Sequence, residues 1–343
     1  VIGEGAALLG CTSTGEFTEE RAVHDGIAVG LVASDSIEFH VSLGKGLSES
    51  VPRTLRKALA DVPEPAEGLP YRSAITLHDG LQGVGERLVL VAQRKLGPTV
   101  QFAGGAAADR NQLEATHVIC NDQVAEDAVA IAVMDSRERC VLSVDHGHEP
   151  ISEPMEVTAV DGNAVHELDG RPAYDAWCDA IRDPARELLD LDVDAVQPGT
   201  VEHTKLMGLF EFGIDQGEGY KIRWPRVEDP DPDSGTIQFA VDIPEGTVFQ
   251  VMQGTVEKQI DSARRAARTA HDLADGEYAG GFVYDCSCRE TILGDEFGTA
   301  VDAMADELDA PFAGFETYGE ICMEMGQLSG FHNTTSVIQL LPK

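Results

Sequence analysis

Basic residues are the scarcest resource of this chain. Against 60 Asp and Glu stand 25 Lys and Arg, and lysine occupies only seven positions in 343 residues. A net charge of −35 argues against nucleic acid or an anionic membrane as partner, because binding driven by counterion release needs clustered cations. No apolar run approaches the ~20 residues that a membrane helix requires, so no membrane insertion is expected. The seven cysteines have no regular spacing and read as reduced thiols of a cytoplasmic protein rather than as a disulfide framework. Enzyme signatures are missing too. Gly3-x-Gly5 meets Leu8 where a dinucleotide loop needs its third glycine, and Gly44-Lys45 is followed by Gly46 instead of Ser or Thr. There is no Gly-x-Ser-x-Gly elbow.

What is present is acidic, repetitive and rich in strands. The acidic residues are spread through every segment, which fits a solvated surface adapted to molar salt, where self-repulsion is screened. Eight residues near the start, Gly10–Phe17 (GCTSTGEF), return near the end as Gly314–Ile321 (GFETYGEI), both of the form Gly-x-x-(Ser/Thr)-x-Gly-Glu-apolar. Each copy precedes a histidine pair, His24-Asp25 and His332-Asn333, and then an apolar segment, 27–32 and 336–341. Two related halves follow from that repeat.

Between the copies, apolar alternation around Ser34-Asp35 predicts a hairpin of 27–33 with 36–43. Ser48 is expected to cap a helix to about Ala60, and Gly97-Pro98 to stop another near Leu96. Strands are expected near 73–77, 100–103, 117–120, 128–134 and 140–144, with Gly104–Asp109 as a turn. Asp161-Gly162-Asn163 predicts a tight hairpin, since Gly and Asn accept positive φ, and Asp169 is read as the N-cap of a helix running to about Leu189. Further strands are expected at 206–212, 220–224, 236–241, 247–252 and 282–285, with Glu228–Ser234 as an acidic hairpin tip, and helices at 255–274 and 296–308. The pattern gives an α/β fold (α+β-like): two related halves of mixed, largely antiparallel sheets covered by helices, a layered sandwich, divided at 1–168 and 169–343.

The repeated loop suggests a cradle. Gly15 and Gly319 are expected to take φ > 0, turning backbone N–H groups and the following Glu toward one point. In the second copy Glu320 would accept from an ammonium group while Thr317 or Tyr318 offers a hydroxyl. The competing reading is that each Glu holds its own turn. Arg289 could clamp a carboxylate in two parallel hydrogen bonds, or pair with Glu320 structurally. Cys286-x-Cys288 with Cys322 and His332 lacks the usual zinc spacing and reads as buried thiols. His146-Gly147-His148 has no evident carboxylate partner. A Cys288–His332 nucleophile pair lacks a group to orient the histidine.

With GGAAAD (104–109), VTAVDGNAVHELDGRPA (157–173), CSCRETILG (286–294) and HNTT (332–335) in the same order, the chain resembles FIST-domain proteins, N-terminal and C-terminal modules together. The resemblance implies a sensory input protein that binds a small polar metabolite such as an amino acid, without catalysis, and signals to a separate protein. It also implies a strand and helix ahead of the first motif, so the start of the first half is expected to lie outside this numbering. Arg289, Glu320, Thr317 and Tyr318, with His332, Asn333 and Cys288 as neighbours, are the candidate ligand residues. No cofactor is predicted. A haem-based gas sensor, a hydrolase using cysteine or carboxylate, and a scaffold without ligand are the alternatives.

Overall fold

The computed structural model describes residues 5–217, 219–225, 235–324, 327 and 329–343, so the expected acidic tip at 228–234 lies outside the described residues. Two compact units are present. One comprises Val1–Asp145, Ile260–Ser287 and Asp295–Lys343, the other His146–Gln259 and Cys288–Gly294.

The first unit contains two six-stranded sheets. One runs Phe331–His332, Glu320–Met323, Gln101–Ala106, Tyr71–His78, Ala128–Ser136, Ile37–Lys45. The other runs Arg21–Val23, Glu16–Thr18, Phe312–Thr317, Gly280–Cys286, Ser336–Leu341, Val141–Asp145. The third and fourth strands of each are parallel and every other pair is antiparallel. The registers agree as well. Gly104 lies between Thr76 and Ile321, as Gly314 lies between Val283 and Phe17. Two non-glycine residues with positive φ, Asp127 (47°) and Thr334 (54°), take equivalent places, each just ahead of the fifth strand of its sheet.

This architecture is the expected α/β arrangement of related halves, with one addition. The hairpins are exchanged. The strand that begins in the second motif, Glu320–Met323, joins the sheet of Gln101–Ala106, Tyr71–His78, Ala128–Ser136 and Ile37–Lys45, and the strand that begins in the first motif, Glu16–Thr18, joins the sheet of Phe312–Thr317, Gly280–Cys286, Ser336–Leu341 and Val141–Asp145. One apolar core lies between the sheets, joining Leu77, Ala103 and Ala130 to Tyr284, Val337 and Leu341. Helices Leu47–Ala58 and Gly85–Leu96 bury Leu55, Leu88 and Val89. Phe297, at the start of helix Phe297–Leu308, meets Phe17 edge-on at 5.7 Å. A small sheet of Leu9–Cys11, Val118–Cys120 and Gln123–Ala125 carries the lead-in to the first motif.

The second unit holds an antiparallel eight-stranded sheet whose central strand, Val248–Gly254, pairs with Phe210–Asp215 on one side and with His148–Pro150 and Met155–Asp161 on the other. Helix Ala173–Leu189 buries Trp177, whose indole N–H donates to the Phe210 carbonyl at 2.9 Å. The Asp161–Asn163 turn forms as expected, with Gly162 at φ 62°. Among the described residues no helix is long and apolar enough to cross a membrane.

Several expectations are corrected. Residues 27–33 form no strand, and Ile27, Val29 and Leu31 are exposed. Ile37–Lys45 pairs instead with Ala128–Ser136, so a long-range ladder overrides local alternation. Gly104 and Gly105 continue a strand rather than turn. The stretch from Leu206 begins as helix Val201–Leu209, capped by Thr200, and becomes a strand only at Phe210. Asp169 sits at φ 51° and accepts from the Glu156 N–H at 2.8 Å, closing the hairpin instead of capping the helix. Ser48 lies inside the first turn of its helix, tied to Asp127, while Gly46 stands at the N-cap.

Asp79 ends its strand as a buried clasp. It accepts from the Leu81 N–H (3.0 Å), Gln82 Nε2 (3.3 Å), Thr116 Oγ1 (2.6 Å) and the Asp127 N–H (2.6 Å). Asp79→Asn keeps the shape but loses the charge and one acceptor oxygen, and is expected to cost about 2 kcal/mol in urea unfolding. An unchanged midpoint would show that these donors find other acceptors.

Candidate functional site

The two motif copies use one hydrogen-bond device. Ser13 Oγ donates to Glu16 Oε1 at 2.6 Å, and Thr317 Oγ1 donates to Glu320 Oε1 at the same distance. The second carboxylate oxygen takes a backbone N–H from the segment beyond: Gly26 for Glu16 (3.3 Å), Thr335 for Glu320 (3.1 Å). Thr335 Oγ1 adds a further bond to Glu320 at 2.9 Å. The copies also touch, because the Thr14 N–H donates to the Glu316 carbonyl and the Glu316 N–H to that of Gly15. The glycines serve different needs. Gly319 has φ 152°, whereas Gly15 is not at positive φ and instead makes room for the Glu316 carboxylate, which would lie 2.4 Å from an added Cβ.

Glu320 has no exposed surface. Burial, with the nearby Asp285 carboxylate adding to it against the Thr317 and Thr335 hydrogen bonds, pushes its pKa up to about 8. Near neutrality it is largely a carboxylic acid fastening its own loop. Ser336 Oγ donates to Asp285 at 2.5 Å beside it. The Tyr318 hydroxyl donates to Asp109, which also accepts the N–H groups of Leu113, Glu114 and Ala115. His332 stands opposite Glu320 in the strand pair, with Nε2 3.0 Å from the Cys322 carbonyl. Asn333 is buried, and its Oδ1 has no hydrogen-bond partner among the described residues. A cavity of about 430 Å³ in this unit, floored by Gly280–Phe282 and Pro311–Ala313, is lined by none of these candidates.

Arg289 and Cys288 belong to the second unit. Arg289 is fully buried. One guanidinium nitrogen donates to Gln259 Oε1 and another to the Gln259 main-chain carbonyl at 3.0 Å. Gln259 Nε2 lies 3.2 Å from His148 Nδ1. His148 is buried too, and burial, followed by the fields of His146 and Arg289, holds its imidazole well below the usual range. It faces Gly254 across the strand pair. Cys288 is a half-buried thiol, and none of the seven cysteines is in a disulfide. Arg289 was visible from the sequence, but its partners were not. Gln259 is one polar residue in an amphipathic helix, and His148 drew notice only through a metal-like spacing.

A family model described as the FIST N domain matches residues 1–171, and one described as the FIST C domain matches residues 173–323. Over 204 residues the chain is 26% identical to an uncharacterized protein of Methanocaldococcus jannaschii. That alignment covers 58% of this chain and 38% of the relative, so the chain spans well under half of the relative's length.

Proposed function

Because the chain belongs to the FIST family, whose domains serve sensing and signal transduction and are not a recognised enzyme family, we propose that it binds a small polar metabolite, possession of which it reports to a separate signalling protein. Arg289 is the residue that reads the ligand. The observation that carries this is a guanidinium with no exposed surface, aligned on two nitrogens by Gln259. Burying a cation is costly, and a planar fork held in a fixed plane is suited to the oxygens of a carboxylate. The ligand transmits its presence only through different affinities for two states of the chain, since equal affinity shifts nothing. A cytoplasmic setting and a surface suited to high salt fit the cysteines outside disulfides and the acidic excess.

A thermal-shift series with amino acids and dicarboxylates tests the reading. A bound compound at one hundred times its Kd stabilises by about 2.7 kcal/mol. Arg289→Lys keeps the charge but loses the fork, and should weaken that compound at least tenfold. Absence of a shift with every compound would overturn the sensor reading, whereas undiminished binding by the variant would remove Arg289 from the site.

A further inference from the structure

Residues 25–34 have the sequence of a strand and no strand beside them. Asp25–Ser34 (DGIAVGLVAS) aligns without a gap to Asp127–Ser136 (DAVAIAVMDS), keeping the aspartate, one alanine, the serine and apolar residues at 27, 29, 31 and 32. Ala128–Ser136 lies between Tyr71–His78 and Ile37–Lys45, antiparallel to both. Ser336–Leu341 holds the same place between Gly280–Cys286 and Val141–Asp145. The succession agrees as well. Residues 27–33 lead into Ile37–Lys45, as Ala128–Ser136 leads into Val141–Asp145, and each of these followers takes the outermost place in a sheet. Yet no backbone N–H or carbonyl of residues 27–33 has a hydrogen-bond partner among the described residues. Their side chains are equally uncovered. Val129, Ile131 and Val133 are fully buried, and helix Leu47–Ala58 packs on their strand, whereas the matching Ile27, Val29 and Leu31 are 86%, 64% and 90% exposed. The other face of the segment is seated, because a Cβ on Gly30 would lie 2.6 Å from the Phe282 ring. Gly26 to Ser34 carries no charge, and Asp25 and Asp35 flank it. An extended, apolar, unpaired edge of this kind is a template for one further strand.

We propose that residues 27–33 are the docking edge for a separate polypeptide, which adds an uncharged apolar strand antiparallel to them and places basic residues near Asp25 and Asp35. A second copy of this chain fits poorly. Antiparallel pairing about Gly30 would set Asp25 of one copy opposite Asp35 of the other at both ends, and like charges directly opposite destabilise a strand pair. The proposal deepens the reading that this chain signals to a separate protein, and it rests on no ligand contact.

Hydrogen–deuterium exchange of the full chain tests it, with the octapeptide of residues 71–78 (YRSAITLH) as probe. That sequence is the antiparallel neighbour of the matching strand, and the same register sets Arg72 opposite Ala33 and Ile75 opposite Gly30. Without peptide, the amides of 27–33 should exchange as fast as those of an unstructured chain. Peptide should slow them saturably, at least tenfold. The peptide carrying Ile75→Pro and Thr76→Pro lacks ladder donors and should slow nothing. Leu31→Asp in the chain alters a side chain that lies in solvent, so the fold is kept, and it should weaken the peptide at least tenfold. Slow exchange in dilute protein without peptide overturns the proposal, as does the absence of protection at any peptide concentration. Protection that grows with protein concentration, together with sedimentation as a dimer, makes a second copy the occupant and overturns it too. Failure of the peptide leaves the metabolite reading to its thermal-shift test, and failure of every metabolite there leaves this edge standing.

Discussion

Gly104→Ala is expected to cost the fold more than about 3 kcal/mol. Gly104 sits at φ 140°, a region that residues with a Cβ rarely enter. A Cβ there would lie 2.1 Å from the Thr76 carbonyl oxygen and 2.8 Å from both its carbon and its nitrogen. Thr76 is the parallel partner of Gly104 in the middle of a sheet, so relief requires parting two buried strands. The obstacle is backbone, with no flexible side chain to swing away. Overpacking in a core costs about 1–3 kcal/mol when side chains can adjust, and more is expected here, against a total stability of roughly 5–15 kcal/mol. Gly97→Ala is the control. It also has positive φ (113°), but an added Cβ meets nothing within 4 Å, so only the backbone cost of about 1–3 kcal/mol should be lost. Circular dichroism and urea unfolding of both variants decide the matter. Equal losses would mean that the φ angle, and not the strand contact, sets the cost.

The second large effect concerns Glu320 and pH. Its pKa is raised to about 8 by burial, with Asp285 adding to the rise, against an ordinary value of 4.5. The folded state thus holds a proton that the unfolded state releases. The stability this contributes is fully present below about pH 4.5 and is lost as pH rises through about 8. The loss is of the order of a few kcal/mol, at about 1.4 kcal/mol per decade of pKa difference. Glu320→Gln, neutral at every pH, should flatten the urea midpoint between pH 5 and 9 and be the more stable form above pH 8. A slope retained in the variant would place the titration elsewhere.

Both effects fall on residues whose importance the sequence showed only in part. The repeated Gly-x-x-(Ser/Thr)-x-Gly-Glu pattern was legible, and so was the reading in which each Glu secures its own turn, because a hydroxyl three residues before a carboxylate can reach it locally. The Asp161–Asn163 hairpin and the helices ending at Leu96, Leu189 and Leu308 were legible for the same reason: their chemistry is short-range. The structural counterpart of Gly314 was not. It is Gly104, in a segment that resembles a turn by composition, and only the register against Thr76 and Ile321 reveals the equivalence. Ile27–Ala33 misled in the opposite direction, having a strand's alternation without a ladder to join. The link from Arg289 through Gln259 to His148 spans more than a hundred positions and has no periodic signature.

The exchanged hairpins govern how the first unit comes into being. Glu16 lies opposite Phe315, a separation of about three hundred residues, and Glu320 lies opposite Gly105. Contacts of that span are the slowest to form, because loop-closure entropy is lost before any pairing is gained. A nascent chain leaving the ribosome therefore carries both partial sheets with open edges until residues 312–341 emerge. Either motif copy can be altered only at the expense of the opposite sheet, which couples residues 10–17 and 314–321 more tightly than their distance along the chain suggests.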